Sequence, residues 1–159
     1  MVWRWHWLAR LANERGWKRG AELGVRRGHT SLYLVDHVPG LSMICVDLWA
    51  KGISLRYDRY NHDLNLRLFL ERCAGKPIMT WRMSTHQAAS CVEDGALDFV
   101  FIDANHDYEA VAQDLDDWAP KVSDMLAGHD WTEPGVSRAV NERFTDVVLG
   151  PDQCWRVCR

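Results

Sequence analysis

The sequence predicts an α/β protein in which helices cover both faces of a seven-stranded, mostly parallel sheet. Three observations carry the prediction. Short apolar β-like runs alternate along the chain with helix-period segments, the pattern of βαβ units. One run, Leu97 to Ile102 (LDFVFI), is apolar on both faces, as a central strand covered from both sides must be. Glycine or acidic residues follow several of the strand segments, at the end where open α/β sheets hold ligands.

Each element follows from local pattern. Trp3 to Glu14 reads as a helix with Leu8, Leu11 and Ala12 inward, stopped near Gly16. Arg19 to Leu23 is the first strand, and a glycine-bearing turn leads to a helix from Thr30 to Val38 that Pro39-Gly40 ends. Leu41 to Val46 is the second strand, closed by Asp47. A long aromatic loop, Leu48 to Asn61, precedes a helix from His62 to Ala74. Ile78 to Met83 is a third strand and Thr85 to Val92 a short helix. After the fourth strand, LDFVFI, a helix from Tyr108 to Trp118 sets Tyr108, Val111, Leu115 and Trp118 on one side, and Pro120 closes it. A fifth strand near Met125 to Gly128 and a helix from Gly135 to Phe144 follow. Two end strands, Asp146 to Leu149 and Cys154 to Val157, are joined by the Gly150-Pro151-Asp152 turn, with the last strand antiparallel. With no repeat, linker or low-complexity tract, residues 1–159 are expected to form one domain: an N-terminal helix (1–17) on a Rossmann-like three-layer core (18–159).

Composition narrows the class. A 47% hydrophobic and 26% charged chain is ordinary for a soluble globular protein, and no apolar run approaches the roughly 20 residues that cross a bilayer. Met1 to His6 carries Arg4 among tryptophans and lacks a small-residue cleavage site, so no secretion signal is expected. Five cysteines form no CxxC pair and leave an odd one, which fits reduced thiols in the cytoplasm. The net charge of −3 hides an asymmetry. Residues 1–30 hold seven Lys/Arg and two Glu, whereas 93–133 hold twelve Asp/Glu and the single base Lys121. The basic start reads as a solvated helix face or as a contact for nucleic acid. The acidic stretch reads as helix surface, with a few carboxylates able to hold a cation.

The first strand runs into Glu22-Leu23-Gly24-Val25-Arg26-Arg27-Gly28-His29-Thr30. Gly24 permits a sharp turn, and Gly28 is expected to admit a ligand to the start of the next helix. The G-x-x-x-G spacing differs from the G-x-G-x-x-G that cradles a pyrophosphate, which argues against a dinucleotide dehydrogenase. Asp47, about nineteen residues after Gly28 and at the end of the second strand, is where a carboxylate accepts ribose hydroxyls. Either element alone is weak, since such turns are common and a strand-terminal Asp is often a helix cap. Together they indicate a nucleoside site.

ELGVRRGHTS followed by MICVDLW resembles the first two motifs of class I S-adenosylmethionine-dependent methyltransferases. DFVFIDANHDYEAVAQDLDDW, AGHDW and PGVSRAV resemble the subgroup of macrocin and mycinamicin sugar O-methyltransferases, and more distantly catechol-type enzymes. The likeness runs from about Arg19 to the C-terminus. It implies S-adenosylmethionine as cofactor, with Glu22 and Gly24 near its methionine part, Asp47 on the ribose, and Met83 and Ser84 beside the adenine. Gly28, Thr30, Leu48 and Asp103 complete the implied cofactor set. Trp49 shields the nucleoside or simply packs.

Asp103-Ala104-Asn105-His106 follows the fourth strand and His129-Asp130 the fifth, so neighbouring strands bring both loops to one rim. Asp103, His129 and Asp130 form a candidate divalent site, with oxygen ligands favouring Mg²⁺, Ca²⁺ or Mn²⁺ and the imidazole making Mn²⁺, Fe²⁺ or Zn²⁺ more acceptable, Mg²⁺ or Mn²⁺ being expected. The resembled sugar enzymes carry an acidic residue where His129 stands, which puts more weight on Asp103 and Asp130. His106 falls where those enzymes carry a His and the catechol enzymes a Lys. An imidazole, with an ordinary pKa of about 6.5, takes a proton near neutral pH, so His106 is the candidate base and Asp103 its catalytic partner. The bland alternatives are a helix cap for Asp103 and a solvent-facing helix start for His106.

The expected acceptor is a small-molecule hydroxyl on a sugar, polyol or polyketide. Substrate cover must come from the 48–61 loop, with Trp49, Tyr57 and Tyr60, or from a second copy in a homo-oligomer. Trp3, Trp5 and Trp7 either dock such a copy or pack on the helix from His62. Two other readings stay open: a nucleic-acid methyltransferase, which the acidic rim disfavours, and a nucleoside-binding module without catalysis.

Overall fold

The computed structural model describes residues 2–52 and 58–158. Its order is α1 (Arg4–Arg15), β1 (Arg19–Leu23), α2 (His29–His37), β2 (Ser42–Asp47), α3 (His62–Cys73), β3 (Ile78–Arg82), α4 (Thr85–Ala89), β4 (Leu97–Ile102), α5 (Tyr108–Trp118), β5 (Val122–Gly128), α6 (Pro134–Arg143), β6 (Val148–Leu149) and β7 (Trp155–Cys158). The seven strands run β3-β2-β1-β4-β5-β7-β6, all parallel except β7, which is antiparallel to both neighbours. This is the Rossmann-like three-layer arrangement expected.

Two apolar cores explain the layers. Leu8, Leu34, Phe69 and Phe99 pack with α1, α2 and α3 on one face of the sheet. Val100, Leu115, Trp118 and Val140 pack with α4, α5 and α6 on the other. The central strand β4 serves both cores, which is why LDFVFI carries apolar residues in both registers. Parallel register sets Leu23 beside Val46 and Ile102, and Ile102 beside Gly128. The carboxyl ends of β1, β2, β4 and β5 therefore finish together on one rim.

The departures from expectation have local causes. β5 begins at Val122, three residues before the apolar run, because its polar residues are paired. Ser123 Oγ donates to the Leu97 carbonyl at 3.0 Å, and Asp124 accepts from the Trp17 indole at 2.6 Å. α4 stops at Ala89 rather than Val92, and β6 is only two residues long. α1 lies on α2, not on the helix from His62. Trp7 is buried beneath Gly150, where an added Cβ would lie 3.0 Å from its ring. Trp5 stacks on Trp3 with centroids 5.4 Å apart, and Trp3 stays 42% exposed. Among the described residues no helix is long and apolar enough to cross a membrane.

Candidate active site

Strand order reverses between β1 and β4, and a cavity of about 520 Å³ opens at the carboxyl ends of the strands there. A cleft of that size suits a small ligand or cofactor. Its floor is built from the β1–α2 turn. Gly24 takes φ +84°, and a Cβ on it would lie 2.1 Å from the Asp103 carbonyl oxygen. Only glycine lets β1 and the β4–α5 loop come this close.

Glu22, 3% exposed, holds the turn from beneath. Its Oε2 accepts from the Ser31 backbone N–H at 3.0 Å and from the Ser31 hydroxyl, in the first turn of α2. Burial, outweighing the Ser31 bonds, pushes its carboxyl up to about 7. The folded protein therefore keeps a proton that the unfolded chain releases above about 4.5. Glu22's contribution to stability therefore falls as pH rises from about 4.5 through 7. Glu22→Gln is expected to flatten part of that decline and recover on the order of 2 kcal/mol at pH 8. Urea unfolding at pH 5 and pH 8 checks this, and a variant with the wild-type slope would refute it.

Asp47 braces the same turn from β2. Its Oδ2 accepts from the Val25 and Arg26 N–H groups at 2.9 and 2.8 Å, and its Oδ1 from the Trp49 N–H at 2.7 Å. Its carboxylate lines the cavity while fixing the shape of the turn. One expectation changes here. Gly28, expected to admit a ligand, is absent from the cavity lining. Its αL backbone (φ +71°) instead faces Phe69, whose ring would lie 2.4 Å from an added Cβ. Trp49 is 1% exposed and stacks on Phe69 at 5.5 Å, with its indole N–H donating to the Arg26 carbonyl at 2.8 Å. It lines the cavity as a packed wall residue, the packing role that the sequence left open. Tyr57 lies outside the described residues. Met83, Ser84, Thr30 and Leu48 all line the cavity. Ser84 also caps α4 in a reciprocal pair with Gln87.

Across the cavity stands a cluster from β4, β5 and two distant segments. His106 Nε2 lies 2.8 Å and His129 Nδ1 3.1 Å from the same oxygen, Asp130 Oδ2. Asp103 Oδ1 is 4.0 Å from His106 Nε2 and 3.9 Å from His129 Nδ1. Arg4 reaches in from α1, with Nη2 3.3 Å from Asp103 Oδ2 and Nη1 3.6 Å from Asp152 Oδ2. Burial pushes Asp103 up to about 6, against the pull of Arg4 and the histidines. Burial acts on Asp130 in the same direction, but hydrogen bonds from His106 and His129 override it and hold that carboxyl below its usual range. His129 is raised: desolvation is overcome by the Asp130 bond and the Asp103 charge. Asp103, His129 and Asp130 each offer a ligand atom within 4.8 Å of the others. Two carboxylates and an imidazole are a chemically suitable set for a divalent cation, the imidazole favouring Mn²⁺ over Mg²⁺, with one Asp103 oxygen shared with Arg4.

The structure thus gathers Asp103, His106, His129 and Asp130 as the strand order implies. It adds Arg4 and Asp152, which no local motif marks. It also adds Asp114 of α5, 4% exposed and pushed by burial up to about 6, which accepts from the Thr85 hydroxyl beside the cavity.

A family model described as a methyltransferase domain matches residues 21–131, which span the turn, Asp47, Asp103, His106, His129 and Asp130. The chain belongs to the methyltransferase-domain family. Solved structures agree with this methyltransferase in fold. The Podospora anserina methyltransferase PaMTH1, solved with SAH, is 16% identical, with 98% of this chain and 78% of that one covered and a TM-score of 0.68. The Bacillus cereus O-methyltransferase, also with SAH, is 15% identical, covering 100% and 83%, at 0.64. TomG from Streptomyces achromogenes, an O-methyltransferase of tomaymycin synthesis solved with SAM, is 16% identical, covering 99% and 81%, at 0.68. No curated protein matches the methyltransferase.

Proposed function

We propose that the protein transfers a methyl group from S-adenosylmethionine to a hydroxyl of a small molecule, in the manner of the sugar O-methyltransferases whose motifs it resembles. One observation carries the reading. The cavity at the strand-order reversal has a glycine turn braced by two carboxylates on one wall and a His–Asp–His cluster on the other. The family match and the SAH- and SAM-bound neighbours support it.

When bound, S-adenosylmethionine supplies an electrophilic methyl on a sulfonium and leaves as a neutral thioether. The chain supplies position and proton transfer. Gly24 leaves room at the end of β1, Glu22 and Asp47 hold the turn in shape, and Thr30, Leu48, Met83 and Ser84 complete the cofactor wall. Asp103 reaches the same space from β4. His106 takes the proton of the acceptor hydroxyl, with Asp130, 2.8 Å from Nε2, stabilising the imidazolium that forms. Asp103, His129 and Asp130 would hold a divalent cation, which would supply Lewis acidity toward the acceptor oxygen.

Calorimetry tests the cofactor reading: S-adenosylhomocysteine should bind and NAD should give no heat. The reverse result ends it. EDTA is expected to suppress turnover and Mg²⁺ or Mn²⁺ to restore it, while full activity in EDTA would remove the metal and leave the remaining roles in place.

A further inference from the structure

The wall opposite the acidic cluster carries three arginines around the braced turn. Arg26 and Arg27 on the β1–α2 turn and Arg59 before α3 all line the cavity. The Arg26 and Arg59 guanidinium carbons lie 4.1 and 5.1 Å from the centroid of one ring, Tyr60, and so within about 9 Å of each other. Arg59 also donates to the Tyr60 hydroxyl at 3.0 Å. Among the described residues no carboxylate pairs with Arg26, Arg27 or Arg59, although other arginines of the chain have such partners: Arg4, Arg15 and Arg143 each do. Residues 53–57, which lie outside the described ones, contain no Asp or Glu in the sequence. The positive field extends to His29 at the start of α2. Its imidazole is held below its usual range by burial and then by Arg72, Arg27, Arg4 and Arg26.

Asp47 offsets part of this charge and the Asn65 amide oxygen accepts from Arg27 Nε at 2.9 Å, but three guanidinium groups to one carboxylate leave the cavity mouth net positive, and an anion that enters relieves their repulsion. Guanidinium groups suit oxyanions, which they bind through two parallel N–H bonds. The cofactor's own carboxylate would engage one such group and leave the others uncompensated. Resting on the proposed methyl transfer, we infer that the acceptor carries an oxyanion, a phosphate or carboxylate, held by Arg26 and Arg59 around Tyr60 while its hydroxyl faces His106. The acidic wall handles the proton and the basic wall selects the substrate.

The test is an NMR titration of protein saturated with S-adenosylhomocysteine, so that any cation used by the cofactor is already engaged. Ribose 5-phosphate and glucuronate are compared with ribose and glucose. At least tenfold tighter binding of one charged sugar over its neutral counterpart is expected, and which one shows it separates phosphate from carboxylate. The preference should shrink as KCl rises from about 50 to 200 mM, and should largely vanish in Arg59→Ala at an unchanged unfolding midpoint while surviving in Arg59→Lys. Equal binding of charged and neutral sugars overturns the inference, and so does salt-sensitive RNA binding with no sugar preference. The salt series on unaltered protein decides the matter if the variants fail to fold. Loss of S-adenosylhomocysteine binding with the charge preference retained would instead count against methyl transfer alone.

Discussion

His106→Ala will lower kcat for methyl transfer by roughly 10² to 10⁴, with S-adenosylhomocysteine affinity changed less than twofold. His106 lines the cavity opposite the glycine turn, and Asp130, held anionic by its two histidine bonds, orients the ring through Nε2 at 2.8 Å. Removing the imidazole deletes the proton acceptor and leaves the cofactor wall from Glu22 to Asp47 in place. Steady-state kinetics paired with calorimetry separate the two effects. A wild-type rate in the variant would retire His106 as the base, and a parallel loss of cofactor binding would recast it as a structural support. Asp130→Asn is expected to reproduce part of the loss, since an amide presents a weaker acceptor to both histidines.

Gly24→Ala will destabilise the fold by about 3 kcal/mol or more, lowering the unfolding midpoint by roughly 6 to 12 °C. The added methyl would lie 2.1 Å from the Asp103 carbonyl oxygen, 2.6 Å from its carbon and 2.7 Å from the Ala104 Cα. These are backbone atoms with little freedom. Asp103 N–H donates to the Leu23 carbonyl at 2.8 Å, and Gly24 N–H donates to the Val46 carbonyl at 2.9 Å. Relief therefore requires parting β1 from β4 at the cavity floor. The backbone φ of +84° adds a cost of its own for any residue with a Cβ. Thermal unfolding gives the stability loss, and calorimetry on the folded fraction should find S-adenosylhomocysteine binding abolished. A change within about 0.5 kcal/mol would mean that the turn does not approach Asp103 as described.

Gly24 and Gly28 show where reading the chain succeeds and where it stops. Both stand in the turn and both take positive φ, as a G-x-x-x-G spacing after a strand suggests. Gly24 does face the cavity. Gly28 turns away from it, toward a phenylalanine forty-one positions later in α3, and no local pattern announces that neighbour. Trp49 is a similar case, an aromatic beside a nucleoside motif that proves to stack on the same Phe69. The polar start of β5 was hidden for a related reason. Ser123 and Asp124 look like loop residues until their partners, Leu97 and Trp17, are known.

Features that depend on neighbours along the chain were readable from residue order alone. The period of apolar residues set the strands and helices, and their alternation set a parallel sheet. A parallel sheet then obliged the loops after β1, β2, β4 and β5 to share one rim, so Glu22, Asp47, Asp103, His106, His129 and Asp130 were legible as one site. Which of these groups touch, and with which outsiders, emerged once the sheet was folded. Arg4 meets Asp103 across 99 positions, and His129 and His106 share a single oxygen of Asp130. The physical reason is range. Periodicity and turn chemistry act over a few residues, whereas ion pairs and close packing act through space, between segments that only the folded sheet brings together.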